Sequence, residues 1–260
     1  MLLGYLLPLV EHYLDGNVPS LDFLTRQYEF FHPRGIGLEN PCIVMANEYR
    51  NGAAKGNFVI DDFQWNMAPD MSSAPGGVTW TVDNLVEGRL DDNNGSYNYD
   101  PADPFNGAIF GAAPDTTRGV TFDWTGDDRY IQWQVPKVAN DFTKYAMLSF
   151  RAAQASRHPN TVAAIEDLKF AVELRDSAGH TSTININAYG AGLQEPYQRS
   201  GGWFDEMETV RLRNTDFLNN GSGLDLTSIV AVKLKFGPSW GSNEGRIVLD
   251  DLMLTNDGMP

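Results

Sequence analysis

Phe58-Val59-Ile60-Asp61-Asp62-Phe63 and Arg246-Ile247-Val248-Leu249-Asp250-Asp251-Leu252 decide the fold of this chain. Each is a β-branched apolar run that closes on a double aspartate, and about 180 residues of strands and turns lie between them. Two such runs, one opening a β-sandwich and one closing it, are expected to pair side by side. That pairing brings four carboxylates close together. Like charges so placed repel unless a cation or buried donors compensate.

Between the two runs the hydropathy has period two. Phe170, Val172 and Leu174 alternate with Ala171, Glu173 and Arg175. Ile184, Ile186 and Ala188 alternate with Asn185, Asn187 and Tyr189. Val230, Val232, Leu234 and Phe236 alternate with Ala231, Lys233 and Lys235, and Ile131, Trp133 and Val135 with Tyr130, Gln132 and Gln134. Each stretch reads as an antiparallel strand with one wet face. Asp176-Ser177-Ala178-Gly179, Asn219-Asn220-Gly221-Ser222-Gly223 and Gly237-Pro238-Ser239 supply the turns. The pattern predicts an all-β fold, an antiparallel two-sheet jelly-roll sandwich with a short N-terminal helical segment. Asp91 to Phe110 is the longest expected loop. Ala153 to Glu166 is expected to be another, with at most one helical turn.

Residues 1–40 differ. Leu3, Leu6, Leu7, Val10, Tyr13 and Leu14 recur at helical spacing, and Asp15-Gly16-Asn17 ends that helix. Ser20 is placed to cap a second helix, 21–31, which stops at Pro33. Met1 to Val10 has the apolar density of a signal h-region but no basic n-region and no Ala-x-Ala site, so it reads as an amphipathic helix. The expected organisation is a helical segment at 1–40, a linker at 41–55 and the sandwich at 56–257.

Composition narrows the function classes. The 260 residues carry a formal net charge of −15, which disfavours nucleic acid and an anionic membrane as partners. It fits an extracellular or periplasmic protein, or one from a salty habitat. Cys42 stands alone, so there is no internal disulfide framework. No run reaches the roughly 18 apolar residues of a membrane span.

Catalytic readings find little support. Gly237-Pro238-Ser239-Trp240-Gly241 matches the nucleophile-elbow spacing, but a strand rather than a helix is expected after it, and no histidine follows His180. It reads as a hairpin loop. His12, His32, His158 and His180 are not at zinc-ligand spacing. A pair of carboxylates could cleave glycosides, and Glu173 and Glu208 are candidates without special spacing. Asp91-Asp92-Asn93-Asn94-Gly95 has calcium-loop composition with its glycine misplaced for an EF-hand. No catalytic residue is assigned. A structural calcium shared by Asp61 or Asp62 with Asp250 or Asp251 is the metal expectation.

The wet strand faces offer a binding reading. Arg175, Asn185, Asn187 and Tyr189 point from the core, and Tyr197 and Trp203 come from the adjoining segment. Flat aromatics stack on sugar C–H faces, while amides and guanidinium groups bond hydroxyls. These six are the candidate ligand-binding residues.

The opening Val59-Ile60-Asp61-Asp62-Phe63, the Asp225-Leu226-Thr227-Ser228-Ile229 step and the closing Gly245 to Leu252 run together resemble jelly-roll carbohydrate-binding modules of galactose-binding-like fold. The resemblance spans about residues 56–257. It implies a non-catalytic glycan-binding module appended to a secreted hydrolase, with a calcium where first and last strands meet. Gly4-Tyr5, Leu9, His12-Tyr13-Leu14-Asp15-Gly16 and Leu21-Asp22-Phe23-Leu24-Thr25 resemble the last helix of α/β-hydrolase esterases of the dienelactone-hydrolase and polyester-hydrolase kind. That likeness implies an upstream catalytic domain as a partner. The alternative is a C-terminal esterase or lipase fragment in which the sandwich is purely structural.

Overall fold

In the computed structural model the period-two stretches form antiparallel strands. It describes residues 2–17, 20, 56–64, 68–90, 100, 102, 118–155, 158–162, 165–189, 192–199, 202–205 and 207–256. The strands are β1 (Phe58–Asp61), β2 (Val78–Trp80), β3 (Asp83–Arg89), β4 (Arg118–Thr125), β5 (Arg129–Gln134), β6 (Met147–Gln154) and β7 (Ala171–Asp176). β8 (Thr181–Asn185), β9 (Tyr197–Arg199), β10 (Gly202–Phe204), β11 (Glu208–Arg213), β12 (Ile229–Phe236) and β13 (Glu244–Thr255) follow. One sheet runs β11-β6-β13-β4-β3 with β1 also on β13; the other runs β2-β5-β12-β7-β8. β9 and β10 make a separate two-stranded ribbon. The chain changes sheet at most of its connections, so the result is the two-sheet sandwich that the alternation predicts.

The inward positions meet between the sheets. Phe122 and Trp124 of β4 face Phe236 of β12, with ring centroids 5.1 and 4.6 Å apart. Phe170 also packs on Phe236, with ring centroids 5.0 Å apart and the rings tilted by 42°. Ile131, Trp133, Val172, Leu174, Val232 and Leu234 are all buried beside them. Each such side chain contributes about 1.5–3 kcal/mol relative to an exposed one, which is what specifies the strand register.

The opening and closing runs do meet. Phe58 pairs with Leu254, Val59 with Met253 and Asp61 with Leu252 in an antiparallel ladder. The simple alternation through the double aspartates does not hold. β1 shifts register between Val59 and Asp61, and β13 between Asp250 and Met253. Phe63 and Asp251 both have φ of +53°. Bulges of this kind re-aim side chains, and Ile60 and Asp61 are consecutively buried as a result.

Three local expectations change. The strand expected to run on through Ile186 and Ala188 stops at Asn185 and gives way to a 3-10 turn, Ile186–Tyr189. Asn185 Oδ1 accepts the Asn187 N–H at 3.2 Å, and this local bond competes with the ladder. The segment 237–243 is no hairpin, because it carries the chain from β12 in one sheet to β13 in the other. Of the expected loop 153–166, residues 153 and 154 belong instead to β6, while the one helical turn expected there is Pro159–Val162.

The chain divides into two compact units, Asn57–Thr255 and Met1–Gly56 with Asn256–Pro260. In the second unit α1 spans Leu2–Asp15. Gly16 at φ +66° closes it, with Asn17 N–H bonded to the Glu11 carbonyl at 3.0 Å. The second helix expected at 21–31 and the Asp91–Gly95 loop lie outside the described residues.

Candidate functional site

Alternation turns one set of side chains on each sheet away from the core. At the centre of the six-stranded sheet that set is itself buried, as Thr121, Asp123, Arg246 and Asp250 are. Arg246 is fully buried and donates from Nη1 to Asp123 Oδ2 at 2.8 Å. Asn84 Nδ2 donates to both Asp123 oxygens at 3.1 and 3.2 Å, and His158 Nε2 lies 3.7 Å away. Burial and the Arg246 charge push His158 down to about 4, so it is neutral near pH 7. This network is packed structure.

The outer face of the five-stranded sheet is different. Its register aligns Thr79, Gln132, Lys233, Glu173 and Thr183 in one row across all five strands. Tyr130, Lys235, Ala171 and Asn185 form the neighbouring row on one side, and Gln134, Ala231, Arg175 and Thr181 the row on the other. Glu173 is the centre. It accepts from Lys235 Nζ at 2.7 Å and lies 3.5 Å from Lys233 Nζ. Burial disfavours its charge, but the Lys235 hydrogen bond and the two ammonium charges outweigh that and hold its pKa below the usual carboxylate value.

Each ammonium also lies over an aromatic ring. Lys233 Nζ is 5.0 Å from the Tyr130 centroid and Lys235 Nζ is 3.4 Å from that of Trp240. Trp240 reaches this place from the arch that leaves β12, and Asn185 Nδ2 donates to its carbonyl. Glycines shape the arch: Gly237 has φ of +107° and Gly241 of +146°, and a Cβ on either would clash with a backbone carbonyl, of Asp127 or Lys169. That accounts for the Gly-x-Ser-x-Gly spacing. Ser239 is exposed, and its N–H bonds Asp128 Oδ1 at 3.1 Å.

Of the six ligand residues expected from sequence, Arg175 and Asn185 stand on this face. Asn187 is exposed in the turn just beyond it. Tyr189 ends that turn, Tyr197 lies on β9 and Trp203 on β10 opposite Gln198; these three side chains lie outside the described part. The chain enters the ribbon through Leu193 and Gln194, whose carbonyls accept from Gln154 Nε2 at 3.1 and 3.0 Å. Gln194 N–H bonds Glu208 Oε1 at 2.6 Å. Both anchors, Gln154 and Glu208, belong to the six-stranded sheet. Tyr130, Lys233, Lys235 and Trp240 were not among the expected ligand residues. The wet half of each alternating run held the first three, but their convergence depends on which strands are neighbours.

The four aspartates are satisfied by protein donors. Asp61 Oδ2 accepts the Trp133 indole N–H at 2.9 Å; Oδ1 accepts the Ser73 N–H and hydroxyl at 3.3 and 3.1 Å and the Phe63 N–H at 3.3 Å. The Ser73 hydroxyl also lies 2.6 Å from Asp62 Oδ1. Asp250 takes the Asp251 N–H on Oδ1 at 2.7 Å and faces Arg151 at 3.4 Å on Oδ2; Asp251 lies 3.8 Å from the same guanidinium. N–H and O–H groups aimed at a carboxylate occupy the lone pairs that calcium needs, so this donor set does not suit the shared ion. Among the described residues no three of His, Cys, Asp or Glu gather as a metal cluster. Burial raises the Asp61 pKa against the lowering effect of its donors.

No protein-family model and no curated protein matches the sequence. Among solved structures, the chain is similar to the family 11 carbohydrate-binding module from Clostridium thermocellum in complex with a β-1,3-1,4-mixed-linked tetrasaccharide. That match has 12% identity and a TM-score of 0.43, over 78% of this chain and 97% of that one. It is similar to the CBM27-1 module of Caldicellulosiruptor saccharolyticus in complex with mannohexaose, at 14% identity and TM-score 0.40, over 78% and 98%. An exo-β-agarase matches at 11% identity and TM-score 0.45, over 76% of this chain and 25% of the enzyme.

Proposed function

We propose that residues 57–255 form a non-catalytic module that binds a polysaccharide chain on the outer face of the five-stranded sheet. The observation that carries this is the Tyr130–Lys233–Glu173–Lys235–Trp240 array: two aromatics flank a hydrogen-bonding centre on an open, register-locked sheet. Tyr130 and Trp240 supply apolar ring surface for sugar C–H groups. Gln132, Thr183 and Asn185 supply donors and acceptors for hydroxyls. Rigid strands hold these groups in place, which lowers the ordering cost of binding. The reading also places the protein outside the cytoplasm, as its acidic composition suits, and attaches residues 1–40 to an upstream catalytic domain. Leu6, Leu7, Tyr13 and Leu14 of α1 are 50–78% exposed within this chain, as a helix made for another surface would be. A hydrolase elbow serine and histidine encoded just before Met1 would support that attachment, and their absence would remove it.

The test is affinity electrophoresis of the full chain through gels carrying soluble polysaccharides, with a Tyr130→Ala, Trp240→Ala double variant beside it. Retardation of the parent chain, lost in the double variant, is expected. A correctly folded chain that migrates unretarded through every gel overturns the reading.

A further inference from the structure

We infer, building on that binding face, that its ligand is an acidic polysaccharide, one carrying carboxylate or sulfate groups along the chain. The face runs against the charge of the protein. The chain as a whole stands at −15, yet the charged side chains directed outward from this sheet are Lys233, Lys235 and Arg175 against Glu173 alone. An acidic protein repels polyanions everywhere except where cations are gathered, so such a cluster acts by local complementarity rather than by bulk attraction.

The three cations are also ordered. Lys235 and Lys233 are two residues apart on β12, and Arg175 is paired with Ala231, the next outward position along the same line. Two strand residues span about 6.5–7 Å, so the three backbone positions follow the strand direction at a near-constant step, while both lysine ammonium groups lean to Glu173 between them. A linear polymer with a charge on each sugar unit presents its anions in the same manner. Glu173 takes one donor of Lys235 and forms an ion pair with Lys233 at 3.5 Å, and each ammonium has three donors. Each ammonium lies over a ring, and both lysine side chains are partly exposed. Arg175 is exposed and makes no ion pair among the described residues. Its fork suits a carboxylate or sulfate.

The full chain is to be run in affinity gels with sodium alginate, with a sulfated galactan (λ-carrageenan), and with neutral laminarin and agarose. Retardation by alginate or carrageenan at least tenfold stronger than by either neutral polymer is expected. It should weaken steeply between about 20 and 300 mM salt and be lost in a Lys233→Gln, Lys235→Gln variant whose circular dichroism is unchanged. The alginate and carrageenan arms separate carboxylate from sulfate recognition. Equal or better binding of a neutral polymer, insensitive to salt and to the lysine changes, overturns the acidic-ligand inference while the sheet face remains a glycan site. Failure to bind any of the four overturns both. A Lys233→Arg, Lys235→Arg variant that keeps the charge restores anion binding if charge is the cause, and its failure to do so counts against the inference.

Discussion

The Trp133 indole N–H donates to Asp61 Oδ2 at 2.9 Å, and this one bond joins the two sheets through the core. Trp133 lies on β5 of the five-stranded sheet and Asp61 ends β1 on the six-stranded one. Both are buried, so each depends on the other to satisfy a polar group away from water. Asp61→Ala strands the buried indole N–H, while the Ser73 hydroxyl keeps Asp62, and is expected to cost roughly 2–4 kcal/mol. Urea denaturation of Asp61→Ala, of Trp133→Phe and of the double variant forms a cycle that reads the coupling. Strictly additive losses would show that the bond contributes nothing.

Stability should fall as pH rises from about 4.5 to about 7, because of Glu87. Burial, and then the Asp61 charge, raise the Glu87 pKa from 4.5 to about 7, with Arg118 at 3.8 Å opposing. An acid with a higher pKa folded than unfolded keeps its proton longer in the folded state. Its contribution is therefore full below about 4.5, declines as pH rises to about 7 and is level above. The urea midpoint measured at several pH values should show that decline, and Glu87→Gln should flatten it. An undiminished slope in the variant would assign the effect to another group.

Calcium removal should leave the fold unaffected. Asp61, Asp62, Asp250 and Asp251 already face Trp133, Ser73, backbone N–H groups and Arg151. A melting curve in excess chelator is expected to coincide with one in millimolar calcium, within about 1 °C. A clear calcium-dependent rise would restore the ion predicted at the strand junction.

Gly241 should be intolerant of a side chain. Its φ of +146° and its approach to the Lys169 carbonyl leave no room for a Cβ. Gly241→Ala is expected to destabilise by about 1–3 kcal/mol and to displace Trp240 from beneath Lys235. Denaturation reads the first effect and tryptophan fluorescence the second. A variant of parental stability would mean that the arch adapts.

Tyr130→Ala alone should weaken glycan binding about tenfold with little change in stability, because the ring is only partly buried and its partner there is the Lys233 ammonium over its face. Isothermal titration with whichever polymer is retarded reads the affinity, and Arg213→Ala on the edge strand of the other sheet serves as the unaffected control.

Period-two hydropathy in Phe170–Leu174, Ile131–Val135 and Val230–Phe236 was enough to determine a sandwich of half-wet strands, because burying alternate residues leaves few other arrangements. The matched acidic-ended runs likewise determined that the first and last strands pair. Which strands lie beside which was left to the tertiary structure. Lys233 and Glu173 are 60 positions apart in sequence and directly opposed in the sheet, while Tyr197 and Trp203, closer in sequence to Arg175, follow a segment anchored to the other sheet. The aspartates show the same division. Their placement at the junction was legible, but two bulges and a tryptophan from the opposite sheet decided that donors neutralise them. Local pattern reports which side of a strand is wet; lateral neighbours are set by long-range packing of the whole core, and a binding face is built from lateral neighbours.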